Sequence, residues 1–335
     1  MKPFAPDCVG RLQAAADVAI WRSHNGVDGL PRRMTSSANV PEEDYVASLI
    51  LGGLPLLAAS WTPLLQQWGI DLALTGVFCH QTPKARFQLG GGIVAPELAD
   101  VLIVRRHVDA SGDVRQCAVL VQAKMSTDGE IRLKPDDPQL HLYRKWPRFE
   151  VIGRNAPKSE FCVGQHDEQA RYAGITKGKT PNIPGNIGWQ GFCPWSLMPP
   201  MQGGWVGESL SGYLVKMLNF EAGREFFDPS ATGCHWSDLI HYLLTTTFSL
   251  PLRTRDIRFS PDQPRGREFS SNRMAFMSRS ASHVSAYVPR ERMAELAENG
   301  QDFPPERADE GFGTDGMGRV IAIETWESQE RGHSR

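Results

Sequence analysis

Two short apolar runs joined by a tight polar turn set the strongest limit on what this chain can fold into. Glu97-Leu98-Ala99-Asp100-Val101-Leu102-Ile103-Val104 and Ala118-Val119-Leu120-Val121-Gln122-Ala123-Lys124 are rich in Val, Ile and Leu and bounded by turn residues. That is the pattern of buried β-strands. Between them, Asp109-Ala110-Ser111-Gly112-Asp113 carries hairpin chemistry, because Gly and Asp tolerate the positive φ of tight turns. Three polar side chains interrupt the apolar pattern: Asp100 in the first run, and Gln122 and Lys124 near the end of the second. Strand alternation puts Gln122 and Lys124 on one face. Burying a carboxylate, an amide and an ammonium is costly unless they satisfy one another or a bound ion. The combination points to a metal site.

Asp100 followed by Gln122-Ala123-Lys124 resembles the PD-(D/E)xK nuclease superfamily, in the variant where Gln replaces the acidic residue, as in the QxK motif of Mrr-like restriction enzymes. The resemblance implies a Mg²⁺ site, with Mn²⁺ as a substitute. Asp100 and Gln122 become metal ligands, Ala123 supplies a backbone carbonyl, and Lys124 positions and activates the attacking water. It also implies an acidic residue on the preceding helix that completes the metal shell. Pro41-Glu42-Glu43-Asp44-Tyr45-Val46-Ala47-Ser48-Leu49-Ile50-Leu51 starts like a helix, with Pro and acids in its first turn. Glu43 is the preferred ligand and Glu42 the second; the plainer alternative is that both complement the helix dipole.

Downstream, Asp136-Asp137-Pro138-Gln139-Leu140-His141-Leu142-Tyr143-Arg144-Lys145-Trp146 reads as a helix capped by Asp with Pro in its first turn. Gln139 and Tyr143 lie four apart and share a face. They match the QhxxY motif of the RecB-like, Cas4-like and phage exonuclease branch. There the face looks into the active site and contacts DNA or the catalytic shell. An ordinary amphipathic helix with a core Tyr is the competing reading. Phe149-Glu150-Val151-Ile152 reads as a further strand. The implied fold is α/β, an αβββαβ restriction-endonuclease-like core with a mixed central sheet between about 41 and 153.

Length and composition bound the rest. A chain of 335 residues with 41% hydrophobic and 22% charged residues suits a soluble globular protein of one large or two modest domains. A soft boundary near Pro157 divides a nuclease domain (1–156) from a mainly helical, loop-rich extension (157–335). In that extension, residues 210–218 and 236–244 show helical apolar spacing, and 320–324 reads as a late strand. No apolar run marks the N-terminus as a secretory signal, and the apolar stretch 46–59 is too short for a membrane span. It is broken by Gly52, Gly53 and Pro55. Six scattered cysteines without CxxC spacing predict reduced thiols in a cytoplasmic setting.

A net charge of −2 is unlike that of a free-standing, high-affinity DNA binder. A nuclease of this charge works through local basic patches, or through a partner subunit or homo-oligomer that helps to hold DNA. Lys84 and Arg86, beside Gly90-Gly91-Gly92, are candidates for phosphate contacts. The Arg-rich segment of about 253–285 is another, read either as a mobile loop that orders on DNA or as a solvated linker. Gly311-Phe312-Gly313-Thr314-Asp315-Gly316 matches GxGxxG but precedes a strand, so it lacks dinucleotide context. The expected function is Mg²⁺-dependent cleavage of DNA in a restriction or anti-phage defence complex. Two alternatives stand beside it: a RecB-type repair exonuclease, and a catalytically silent scaffold or nucleic-acid-binding subunit.

Overall fold

The hairpin forms the middle of a mixed β-sheet. The computed structural model describes residues 3–26, 42–78, 83–126, 131, 133–152, 157, 159–177, 193–200, 207–228, 234–247, 274–279 and 319–327. Strands β4 (Val101–Val108) and β5 (Val114–Ser126) pair antiparallel, with Val101 opposite Val121 and Val108 opposite Val114. Asp109 closes the turn: its Oδ1 accepts the Ser111 and Asp113 amides, each at 2.9 Å. Gly112 holds a φ of 90°, as the turn requires. Residues 101–105 of β4 and 116–123 of β5 are buried, so both faces of the hairpin are covered, which explains its unbroken apolar runs.

The helical first part packs on this sheet. α1 (Pro6–Asn25) begins with Pro at its first position and ends at Gly26 in the left-handed region. It was not anticipated from sequence. α2 (Glu42–Ser48) runs through a π-helical turn at Leu49–Gly53 into α3 (Leu54–Gln66). The glycines and Pro55 therefore do not break the apolar stretch. A Cβ at Gly53 would lie 3.0 Å from Leu49 Cδ1 and 3.1 Å from Ser23 Oγ of α1, so the glycine permits close helix packing. Pro55 sits in the first turn of α3, where a missing N–H is tolerated. Trp61 of α3, fully buried, donates its indole N–H to Leu12 O of α1 at 2.8 Å.

β1 (Ile70–Phe78) follows, then the small strands β2 (Lys84–Leu89) and β3 (Gly92–Val94). After the hairpin come α4 (Pro138–Lys145) and β6 (Glu150–Ile152). β6 does not join the central sheet as the last core strand. It pairs with β2 in a separate sheet of order β3-β2-β6. The parallel neighbour of β5 is instead β7 (Ala170–Thr176), with Gln122 beside Tyr172 and Lys124 beside Gly174. A three-residue strand with one buried position cannot serve as an interior strand, whereas β7 is buried over six consecutive residues.

The central sheet also runs past residue 157. β8 (Trp195–Met198) pairs with β7, β9 (Glu208–Ser209) with β8, and β10 (Arg224–Glu225) with β5. α5 (Leu210–Leu218) and α6 (His235–Thr247) occupy the two segments read as helical. β11 (Met274–Arg279) flanks β1. β12 (Arg319–Glu327) inserts between β1 and β4, antiparallel to the first and parallel to the second. Among the described residues the expected boundary near Pro157 coincides with no break in sheet or core: one buried cluster joins Leu102 and Leu120 to Leu214, Trp236 and Ile321. Burying such side chains contributes about 1.5–3 kcal/mol each, which favours a shared core over two small ones. The Arg-rich segment 253–285, apart from β11, lies outside the described residues. Among the described residues no helix is long and apolar enough to cross a membrane.

The end of β4 far from Asp100 carries a buried basic group. His107 is 2% exposed; its Nδ1 lies 2.8 Å from Thr325 Oγ1, which also accepts Arg105 Nη2 at 2.6 Å. Burial, and then the Arg105 charge, push the imidazole down to about 4 from 6.5. A base whose folded pKa is depressed favours the unfolded chain once protons compete for it. Stability from this residue is therefore complete above about pH 6.5 and declines as pH falls toward 4, by roughly 3 kcal/mol. Unfolding free energies measured at pH 7, 5.5 and 4.5 are expected to fall more steeply for wild type than for His107→Gln. Equal slopes would contradict this assignment.

Candidate functional site

The residues that resemble a nuclease motif meet at the other end of the hairpin. Asp100 immediately precedes β4, and its N–H donates to Val121 O at 2.9 Å. The paired register begins one residue later, with Val101 opposite Val121, so Asp100 and Gln122 flank the last pair of the ladder and their side chains meet there. Asp100 is 4% exposed and Gln122 2%. Asp100 Oδ2 accepts the Ala123 N–H at 2.8 Å and also the Gln122 Nε2 amide. Lys124 lies two residues further along β5 on the same face and is half-buried.

α4 covers this face of the sheet. Its Asp137 cap accepts the Gln139 N–H at 2.8 Å, and Trp146 ends it in the left-handed region, donating its N–H to Leu142 O at 2.8 Å. Gln139 and Tyr143 both point inward and are buried. Gln139 Nε2 donates to Glu97 O at 2.9 Å and to Gln122 Oε1. The Tyr143 hydroxyl donates to Leu98 O at 2.7 Å, and burial raises its pKa well above the usual phenol range. The helix thus fastens the backbone just before Asp100 while touching Gln122. An unbroken set of hydrogen bonds runs from Glu97 through Gln139 and Gln122 to Asp100. Such a buried network keeps its shape because each unmade bond is expensive.

The other predicted residues separate. Lys84 and Arg86 lie on the exposed face of β2. Arg86 is ion-paired with Glu150 of β6, which answers its charge from within the protein. Lys84 is exposed, with its backbone bridged to Glu97. Glu43 lies on α2, which packs against β5, but its side chain lies outside the described residues; Glu42 is half-buried. Among the described residues, no three carboxylates, imidazoles or thiolates converge as a metal-binding group.

Two contributors escaped the sequence. One is the pair of carbonyls at Glu97 and Leu98, which no motif marks. The other is Tyr172, which lies beside Gln122 on β7 and packs against Tyr143 with ring centroids 5.4 Å apart. Its hydroxyl is buried without a hydrogen-bond partner among the described residues, and burial pushes its pKa above the ordinary phenol value. Only recognition of β7 as the neighbouring strand could have found it.

The oxygen donors Asp100, Gln122 and the Ala123 carbonyl suit a hard divalent cation in kind. The Gln122 terminus already abuts the Asp100 carboxylate, as two ligands of one ion would. Its amide presents N–H rather than oxygen to Asp100, so ligation requires a half-turn of that amide. Comparisons with protein-family models, curated proteins and solved structures give no match.

Proposed function

We propose that this chain is a Mg²⁺-dependent nuclease that hydrolyses DNA phosphodiester bonds on a restriction-endonuclease-like core, as the cutting subunit of a prokaryotic restriction or anti-phage defence complex. One observation carries the reading: two motifs distant in sequence converge on a single buried network, with Asp100 and Gln139 both hydrogen-bonded to Gln122. The order of β4, β5, α4 and a strand parallel to β5 also supports it. In this reading Asp100, Gln122 and the Ala123 carbonyl hold the cation, with Glu43 as the helix ligand. When bound, Mg²⁺ polarises the scissile phosphate and lowers the pKa of a bound water. Lys124 holds the attacking water by its ammonium, and α4 keeps the ligand-bearing backbone in place through Tyr143. The net charge of −2 favours a partner subunit that supplies part of the DNA grip.

A second reading, a catalytically silent nucleic-acid-binding subunit, draws on the Gln122 N–H that faces Asp100. Incubating the purified chain with closed-circular and linear plasmid, with and without Mg²⁺, separates the cases. Nicking of circles supports the endonuclease, and cutting of linear ends alone supports a RecB-type exonuclease. Inertness at every Mg²⁺ and Mn²⁺ level supports the silent subunit. Gln122→Glu is expected to cleave at lower Mg²⁺ than wild type, because a carboxylate adds charge where an amide adds none. An unchanged or higher requirement would remove Gln122 from the ligand set.

A further inference from the structure

The geometry points to Gln139 as a positioning residue that decides which atom of Gln122 faces Asp100, and so how readily this site accepts a divalent cation. The inference deepens the nuclease reading and rests on it for the identity of the ion. It begins at a backbone carbonyl. Glu97 O can only accept, so the Gln139 group against it, at 2.9 Å, is the Nε2 amide. The second proton of that amide goes to Gln122 Oε1. With its oxygen engaged by α4, Gln122 turns its own Nε2 toward Asp100. Direction therefore passes without a break from carbonyl to amide to amide to carboxylate.

The opposite orientation of Gln122 sets its Nε2 against that of Gln139, donor to donor. It also sets Oε1 against the Asp100 carboxylate, acceptor to acceptor. Only a cation between the two oxygens relieves the second contact, and nothing relieves the first unless Gln139 releases Glu97. Metal binding therefore competes with the Gln139–Gln122 hydrogen bond in a site where Gln139 is 6% and Gln122 2% exposed. A carboxylate at position 122 has no such conflict, since it accepts from Gln139 with one oxygen and ligates with the other. Gln139 thus acts through Gln122, not on the substrate.

The test is Mn²⁺ binding by calorimetry on the full chain, for wild type, Gln139→Met, Gln122→Ala and the double variant. Met keeps the length and volume of Gln139 while removing its donors. Gln139→Met is expected to bind Mn²⁺ about tenfold more tightly than wild type, the equivalent of one buried hydrogen bond. In the Gln122→Ala background the same change is expected to leave affinity unaltered, since a residue acting only through Gln122 loses its effect there. Weaker binding by Gln139→Met, or an equal gain in both backgrounds, overturns the inference. If none of the four proteins binds Mn²⁺, the metal reading fails, and amide exchange then decides the role of Gln139. The Gln122 Nε2 protons, followed by NMR in metal-free wild type, are expected to exchange slowly and to speed up in Gln139→Met. Fast exchange in wild type overturns the assignment, whether or not the variant folds.

Discussion

Lys124→Ala is expected to abolish Mg²⁺-dependent cleavage, by about 10³-fold or more, while shifting unfolding free energy by only about 0.5 kcal/mol. The contrast follows from its position. Lys124 is two residues past Gln122, half-buried, and beside Gly174 on β7. It fills no core position, so truncating it leaves no large cavity. A Cβ at Gly174 would meet Ile131 Cγ1 at 3.2 Å, so Ile131 covers the neighbouring strand instead of a larger side chain there. The measurements are plasmid nicking and urea unfolding on the same preparations. Comparable cleavage at equal folded fraction removes Lys124 from the chemistry, whereas a large stability loss identifies it as a packing residue.

The parts of this site that could be read from sequence follow from local rules. A hairpin with an Asp- and Gly-bearing turn has little freedom of register, so the meeting of Asp100 with Gln122, which flank the Val101–Val121 pair, was implicit in the spacing of the two runs. Likewise Asp137 and Pro138 mark the start of α4, and an i,i+4 pair on a short helix must share a face. That face needed only one wall to pack against, and the hairpin supplied it.

What escaped depends on contacts between distant segments. Ala170-Arg171-Tyr172-Ala173-Gly174-Ile175-Thr176 forms an interior strand, but its Ala, Arg and Gly lack the β-branched signature by which strands are recognised. The segment 149–152 reads more plainly as a strand and yet pairs at the small sheet, where Phe149 stacks on Phe161 with centroids 5.7 Å apart. The late strand was legible as an element, but its insertion between β1 and β4 was not. Strand partners are set by the whole topology, and sequence neighbours pair only about two-thirds of the time. The orientation of the Gln122 amide belongs to the same class: it is dictated by the Glu97 carbonyl, reached only after α4 has docked.

Asp100→Ala is the substitution expected to damage both fold and function. One carboxylate oxygen, Oδ2, accepts from Gln122 Nε2 and from the Ala123 N–H, and the residue is 4% exposed. Removing it leaves two buried donors without an acceptor, at a cost of about 2–4 kcal/mol, and removes the charge a cation would meet first. Asp100→Asn separates the two effects. Its single carbonyl oxygen can occupy the place of Oδ2 and accept both donors, while its neutral amide offers a metal far less. The Asp100→Asn variant is therefore expected to recover most of the stability lost in the Ala variant and none of the Mn²⁺ affinity or cleavage. Urea unfolding read beside Mn²⁺ titration distinguishes the outcomes. If the Asn variant binds Mn²⁺ as wild type does, the ion is not held by Asp100. If the Ala variant unfolds at the wild-type urea concentration, the network that joins Asp100 to α4 is not what holds this end of the hairpin.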